Sequence, residues 1–203
     1  PPSQGLGMTL KDVKHWVFDM DGTLTVAVHD FALIRRELEI PADADILTHL
    51  NGLPTEVAAA KHAWLLEHER ELAQASTAAP GAVELVRDLA ARGCRLGILT
   101  RNAQELAHIT LKAIGLGECF SPEDVLGRDN AAHKPDPDGL LQLARAWDVA
   151  AANMVMVGDY YFDLACGRAA GSQTVLVNVP ENPWPELTDW HAKDCYELRQ
   201  LLG

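Results

Sequence analysis

The chain has no C-x-x-C pair, and its four cysteines, Cys94, Cys119, Cys166 and Cys195, stand far apart. This spacing excludes a zinc knuckle or a dithiol redox motif and fits reduced thiols serving as small core residues in a cytosol. Long apolar runs are also missing, and none approaches the ~18 residues of a membrane helix. Positive charge is scarce: 17 Lys and Arg face 29 Asp and Glu, for a formal net charge of −12. Such a chain is a poor match for nucleic acid or an anionic membrane surface. The start, PPSQGLGMTL, lacks the charged and apolar regions of a cleavable signal. Residues 1–8 read as a tail, with Met8 as the candidate natural start and Pro1 to Gly7 as a candidate remnant of expression. Internal repeats and low-complexity tracts are absent as well. These absences give the expectation of a cytoplasmic protein, monomeric or homodimeric, with no nucleic-acid or membrane partner. There remain 203 residues, 48% hydrophobic and 23% charged, the balance of a globular chain of one or two domains. A core of that size needs no disulfide or metal to hold it.

Apolar strands alternate with helical patterns. His15–Asp19, Arg95–Thr100, Met154–Gly158 and Gln173–Val177 are short apolar runs bounded by turn residues, as in a parallel sheet covered on both faces. Asp124–Gly127 is a weaker fifth. Helices are expected over Pro80–Arg92, Gln104–Ile114, Pro137–Trp147 and Asp163–Ala170, three of them closed by glycine. Strand, helix and strand in repetition predict an α/β doubly wound, Rossmann-like sheet of about five strands. Between Leu24 and Pro80 the alternation stops. Asp30–Leu38, Ala44–Leu50 and Thr55–Ala75 read as helices, framed by Asn51-Gly52-Leu53-Pro54 and Ala79-Pro80-Gly81.

The most informative segment is Phe18-Asp19-Met20-Asp21-Gly22-Thr23-Leu24. A buried strand ends in two carboxylates two residues apart, which alternation sends to one side. Ligands of open α/β sheets sit at the carboxyl ends of strands. Two neighbouring carboxylates repel unless a cation or a proton lies between them. Taken alone, the segment also fits a plain Asp-Gly turn. The second strand ends in Thr100-Arg101-Asn102, a hydroxyl at a helix start where backbone N–H groups are free, and equally a simple cap. Lys134 in His133-Lys134-Pro135-Asp136-Pro137 reads alone as a solvated loop charge. Gly158-Asp159, with Asp163 four residues on, reads alone as a helix cap.

In this chain order, the four segments together resemble the four motifs of the haloacid dehalogenase superfamily in its phosphatase branch. The matching residues are Asp19-Met20-Asp21-Gly22-Thr23, Thr100, Lys134-Pro135, and Gly158-Asp159 with Asp163. The run GDYYFDLACGRAAG also resembles that family's fourth-motif helix. The helical insertion after the first motif looks like the cap of its first cap class, as in phosphoglycolate phosphatase-like members. The resemblance implies a core of residues 9–26 and 78–203 and a cap of residues 27–77. It implies Asp19 as nucleophile, giving an aspartyl-phosphate, and Asp21 as general acid, then general base. It implies Thr100, Arg101, Asn102 and Lys134 around the phosphoryl group. It also implies Mg²⁺ held by Asp19, Asp159 and the backbone carbonyl of Asp21, with Asp163 holding a metal-bound water or Lys134. Mg²⁺ and Lys134 would then reverse locally the field of an acidic chain, as an anionic substrate requires.

An acid at Asp21 separates this chain from the dehalogenase branch, where no alkoxide leaving group needs a proton. The implied activity is Mg²⁺-dependent hydrolysis of a small phosphorylated metabolite. A phosphosugar mutase of the same family remains open, as does a non-catalytic binding or scaffold protein on this fold. Tyr160 and Tyr161 depart from the family pattern, and packing away from the pocket is favoured over narrowing it. The cap is short for its class. Arg35, Arg36, Lys61, His62 and Arg70 are candidates to grip a leaving group, Arg101 and Arg128 stronger ones, and Trp64 reads as core.

Overall fold

The structure is a computed structural model and describes residues 9–203. The reading of residues 1–8 as a tail lies outside the described residues. Six strands form one sheet: β1 (His15–Phe18), β2 (Arg95–Leu99), β3 (Val125–Leu126), β4 (Met154–Gly158), β5 (Gln173–Leu176) and β6 (Trp190–His191). Their order is β3-β2-β1-β4-β5-β6, and every pairing is parallel. The expectation of about five strands is therefore one short. The missed β6 has only two residues, too few for any periodic pattern to mark it.

There are eight helices among the described residues: α1 (Phe31–Leu38), α2 (Ile46–Asn51), α3 (Thr55–Gln74), α4 (Ala82–Ala91), α5 (Gln104–Ala113), α6 (Asp138–Ala146), α7 (Tyr161–Ala170) and α8 (Cys195–Leu201). Strand alternation splits the core in two. Trp16, Phe18, Val155 and Val157 point to one face, where α4, α5 and α8 pack. Val17, Met154 and Met156 point to the other, against α6 and Cys166 of α7. Cys166 and Cys195 are buried and all four thiols are free, in line with the expected use of cysteine. No helix among the described residues is long and apolar enough to cross a membrane.

Helices α1 to α3 pack on a separate apolar cluster of Ile34, Leu38, Ile40, Leu50 and Leu65. Asp30 and Asp45 cap α1 and α2 by accepting from Leu33 N and Thr48 N at 3.0 Å each. The two chain segments that lead into and out of these helices run side by side. Val26 N donates to Thr77 O at 3.1 Å, and Ala79 N to Leu24 O at 2.8 Å. The long α3 lies on α5, where Arg70 pairs with Glu105 at 2.8 Å. That pair is solvent-exposed and adds about 0–1 kcal/mol.

Candidate active site

The strand order reverses at β1, whose neighbours are β2 and β4. A crevice opens at the carboxyl ends of strands wherever neighbouring crossovers diverge in this way. The motif residues Asp19, Asp21, Thr100, Lys134, Asp159 and Asp163 stand at this rim.

Asp19 directly follows β1, and its N–H donates to Val157 O at 2.9 Å. Met20 turns into the core and is 2% exposed, which leaves Asp19 and Asp21 facing the crevice. The chain then turns sharply at Gly22, with φ +83°. A Cβ there would also meet Asp159 Oδ2 at 2.6 Å, so both the conformation and the close approach require glycine. Gly158 is similarly constrained, since a Cβ there would overlap the Asp163 side chain.

The carboxylates of Asp19, Asp159 and Asp163 converge, with one oxygen of each within 4.8 Å of the others. Burial, followed by the charge of Asp19, pushes Asp159 and Asp163 above the usual carboxylate range. The donors that moderate this crowding are few. Thr23 Oγ1 donates to Asp159 Oδ1 at 2.8 Å and approaches Asp19 Oδ2 at 3.3 Å. Lys134 is buried beneath the cluster and donates to Asp19 Oδ1 at 2.8 Å, Asp163 Oδ1 at 2.8 Å and Leu99 O at 2.7 Å. Burial opposes its charge, but Asp19 and Asp163 outweigh that and hold the ammonium above the ordinary lysine range. Its reading as a solvated loop charge is excluded.

Helix α7 starts at Tyr161, two residues before its expected start at Asp163. Asp163 therefore lies at the third helical position, where a carboxylate can reach back to the free N–H groups of the first turn. Its Oδ2 accepts from Asp159 N and Tyr160 N, both at 3.2 Å. With its other oxygen on Lys134, Asp163 is fully engaged in orienting its neighbours.

Asp21 stands apart from the three converging carboxylates. Asn102 Nδ2 approaches its Oδ2 at 3.4 Å, and burial raises its pKa, with Asp19 adding to the rise and His29 opposing it. Thr100 is 5% exposed, and its Oγ1 accepts from Asn102 N at 3.1 Å. Asp21, Thr100, Arg101, Asn102 and Lys134 all line one cavity of about 650 Å³ together with Asp19 and Asp163. Helices α1 to α3 supply its other side.

Of the leaving-group candidates, Arg35, Arg101 and Arg128 line this cavity, and Arg36, Lys61, His62 and Arg70 do not. Lys61 is tied to Leu38 O and Arg70 to Glu105. Trp64 packs beside the α1–α3 cluster and stacks on His68 at 4.9 Å. The expectation that both tyrosines pack away is corrected for Tyr160. Its ring meets Trp184 and Phe162 edge-on at 5.4 and 5.2 Å yet still lines the cavity. Packing and lining coincide because the α7 start places Tyr160 at the rim.

The sequence reading assigned no contact to Thr23, Glu69 or Asn178, and it placed His29 only within the Val26–Asp30 linker expected to help hold the leaving group. His29 and Glu69 line the cavity. Asn178 follows β5 with φ +65°, a left-handed conformation in which asparagine is tolerated better than most residues. Its Nδ2 donates to Gly22 O at 2.8 Å and Thr23 O at 3.0 Å, pinning the turn that carries Asp21 and Thr23. Asn178→Ala is expected to lower stability by about 1–2 kcal/mol through two orphaned carbonyls and to reduce kcat more than it changes KM. Asn178→Gly relieves only the backbone part, so its kcat should stay depressed while stability partly recovers. Denaturant melts and steady-state kinetics read both.

The donor set is all oxygen, anionic and crowded, which fits a hard divalent cation such as Mg²⁺ and offers nothing to a thiophilic metal. Asp19 and Asp159 are the carboxylates with a free oxygen for such an ion.

The described haloacid dehalogenase-like hydrolase family model matches residues 13–171. A haloacid dehalogenase-like hydrolase domain-containing protein of Arabidopsis thaliana is 34% identical over 174 residues, covering 80% of this chain and 69% of that protein. A phosphoglycolate phosphatase of Rhodospirillum rubrum is 40% identical over 100 residues, or 49% of this chain and 41% of that protein. Among solved structures, a predicted phosphoglycolate phosphatase from Haemophilus somnus superposes with a TM-score of 0.78 at 21% identity, covering 97% of this chain and 100% of that one. By the family model and the Arabidopsis relative, and with this rim of carboxylates at the strand ends, the chain is an enzyme that belongs to the haloacid dehalogenase-like hydrolases.

Proposed function

We propose that the protein is a Mg²⁺-dependent, cytoplasmic phosphatase that hydrolyses a phosphate monoester of a small metabolite through an aspartyl-phosphate on Asp19. The observation that carries this reading is the convergence of Asp19, Asp159 and Asp163 over the buried ammonium of Lys134. The similarity to a phosphoglycolate phosphatase supports the ester class.

The roles follow from position. Asp19 attacks phosphorus through its carboxylate, forming the aspartyl-phosphate bond as the phosphorus–oxygen bond to the leaving group breaks. Asp21 stands beside Asp19 in a setting that favours its protonated form, so it delivers the proton to the leaving oxygen and then takes one from the attacking water. Thr100 and the turn of Arg101 and Asn102 that leads into α5 hold phosphoryl oxygens. Lys134 and Asp163 fix Asp19 in its rotamer. Asp19, Asp159 and the Asp21 carbonyl would hold Mg²⁺, which would supply charge neutralisation at the phosphoryl oxygens. Residues 27–77 form the cap: they carry their own apolar cluster and close one side of the cavity.

The test is release of free phosphate from an aryl phosphate with Mg²⁺, then with excess chelator. Stoichiometric release that chelation abolishes and Mg²⁺ restores is expected. Transfer of the phosphoryl group within a substrate, without free phosphate, would mark a mutase. No turnover across a broad ester panel would mark a binding protein.

The general-acid role carries its own signature. Asp21→Asn should cost about 10²–10⁴-fold in kcat for an alkyl phosphate. The loss should be much smaller in the leaving-group step for p-nitrophenyl phosphate, whose phenolate departs without a proton. Equal losses for both esters in the burst phase would remove that role.

A further inference from the structure

The cavity over Asp19 is larger and more aromatic than a two-carbon leaving group requires. At about 650 Å³ it lies in the range of pockets that hold ring-containing ligands, roughly 300–1,000 Å³. Phosphoglycolate has about nine heavy atoms and would fill about two fifths of it, taking a water molecule's share, ~30 Å³, for each.

Two pairs of stacked or edge-on rings line the space. His29 and Phe31, from the start of the helical insert, are parallel at 5.5 Å. Tyr160 and Phe162, from the start of α7, meet edge-on at 5.2 Å. Phe31 is 53% exposed and Tyr160 52%, so each ring presents a face that nothing in the fold covers. Large apolar faces left open inside a cleft mark a ligand surface more often than a structural one. The guanidinium of Arg101 lies over the Phe162 ring at 4.7 Å, which holds that ring and presents a flat cation at the same wall. Glu69 on α3 also lines the cavity. It is half-buried, and burial raises its pKa. Its carboxylate makes no hydrogen bond to other described residues, so an acceptor is left for an N–H or O–H of the ligand.

We infer that the enzyme selects phosphate monoesters whose leaving group carries a flat aromatic ring, a nucleobase or an aryl alcohol, placed between the His29–Phe31 and Tyr160–Phe162 pairs. The inference rests on the phosphatase reading and names its substrate class. Ring stacking supplies contact area, and Glu69 accepts a ring N–H or a hydroxyl.

The experiment compares kcat/KM for nucleoside 5′-monophosphates and aryl phosphates with that for phosphoglycolate and glucose 6-phosphate. It is run on wild type, Phe31→Ala and Tyr160→Ala. Both rings are about half exposed, so their truncation leaves the core intact. Wild type is expected to prefer a ring ester at least tenfold, and the nucleotide and aryl arms identify the source of the ring. Each variant should lower the ratio of ring to ring-free kcat/KM at least fivefold, through KM. A preference for phosphoglycolate, or an unchanged ratio in both variants, would overturn the inference and leave the phosphatase reading standing. Failure to hydrolyse any ester would remove both.

Discussion

Replacing Asp19 with asparagine is expected to lower phosphate release by at least about 10⁴-fold without unfolding the chain. Asparagine keeps the shape of aspartate but lacks a nucleophilic carboxylate oxygen, and no neighbour is placed to replace it. Asp159 is turned to Thr23, and Asp163 spends both oxygens on Lys134 and the α7 start. A loss of that size is a barrier increase of about 5.5 kcal/mol. The stability of this variant has a sign worth measuring. Three carboxylates share the rim, and the charge of Asp19 helps raise the pKa of both others. Removing its charge relieves that repulsion, while Lys134 keeps Asp163 and Leu99 O as partners. In chelator, Asp19→Asn should therefore melt at or above the wild-type temperature. With Mg²⁺ the order should reverse, because a folded state that binds a ligand gains RT ln(1 + [L]/Kd) and the variant binds less. A rate within tenfold of wild type would contradict the nucleophile. A variant less stable in chelator would contradict the repulsion.

The sequence made the strands β1, β2, β4 and β5 legible because each is an apolar run between turn residues. It made the acidic rim legible because Asp19, Asp21, Gly22 and Thr23 are neighbours in the chain. Its limits have physical causes. Read alone, Lys134 is a loop charge because its three acceptors come from three other segments, and only the family resemblance set it beside Asp19. Thr23 and Asp159 are bonded across 136 positions, and no local pattern encodes that pairing. Asn178 was unreadable for the same reason. Glu69 and His29 are ordinary polar residues until α3 and the insert's first linker are folded over the rim. One missed element did leave a signal. Asp194 accepts from Glu197 N at 2.9 Å and starts α8, and an acid followed three positions later by glutamate is a helix-start pattern. The expected start of α7 at Asp163 is two residues late, although Asp163 is itself the reach-back residue of a helix beginning at Tyr161.

Lys134→Met should cost about 3–5 kcal/mol of folding stability, the usual penalty for breaking a buried pair by removing one partner. The ammonium is the sole side-chain cation in hydrogen-bond contact with Asp19 and Asp163 among the described residues, and its side chain is 2% exposed. Methionine matches the length of the stem but satisfies none of its three acceptors. Arginine is no substitute, because a planar fork does not fit acceptors arranged around a compact point charge. Activity should fall with stability, so the single variant cannot separate folding from chemistry. The double variant Lys134→Met/Asp163→Asn does. If the cost of the single change is an orphaned anion, removing that anion as well should return part of it, with a coupling of about 1–3 kcal/mol between the two sites. Phosphate release should nevertheless stay low in the double variant, because Asp19 has lost the donor that holds its Oδ1 and Asp159 N and Tyr160 N have lost their charged acceptor. Stability recovered without activity would separate the ion pair's part in folding from its part in aiming Asp19. Additive losses would mean that Lys134 and Asp163 act on the fold independently and that the buried pair does not function as a unit.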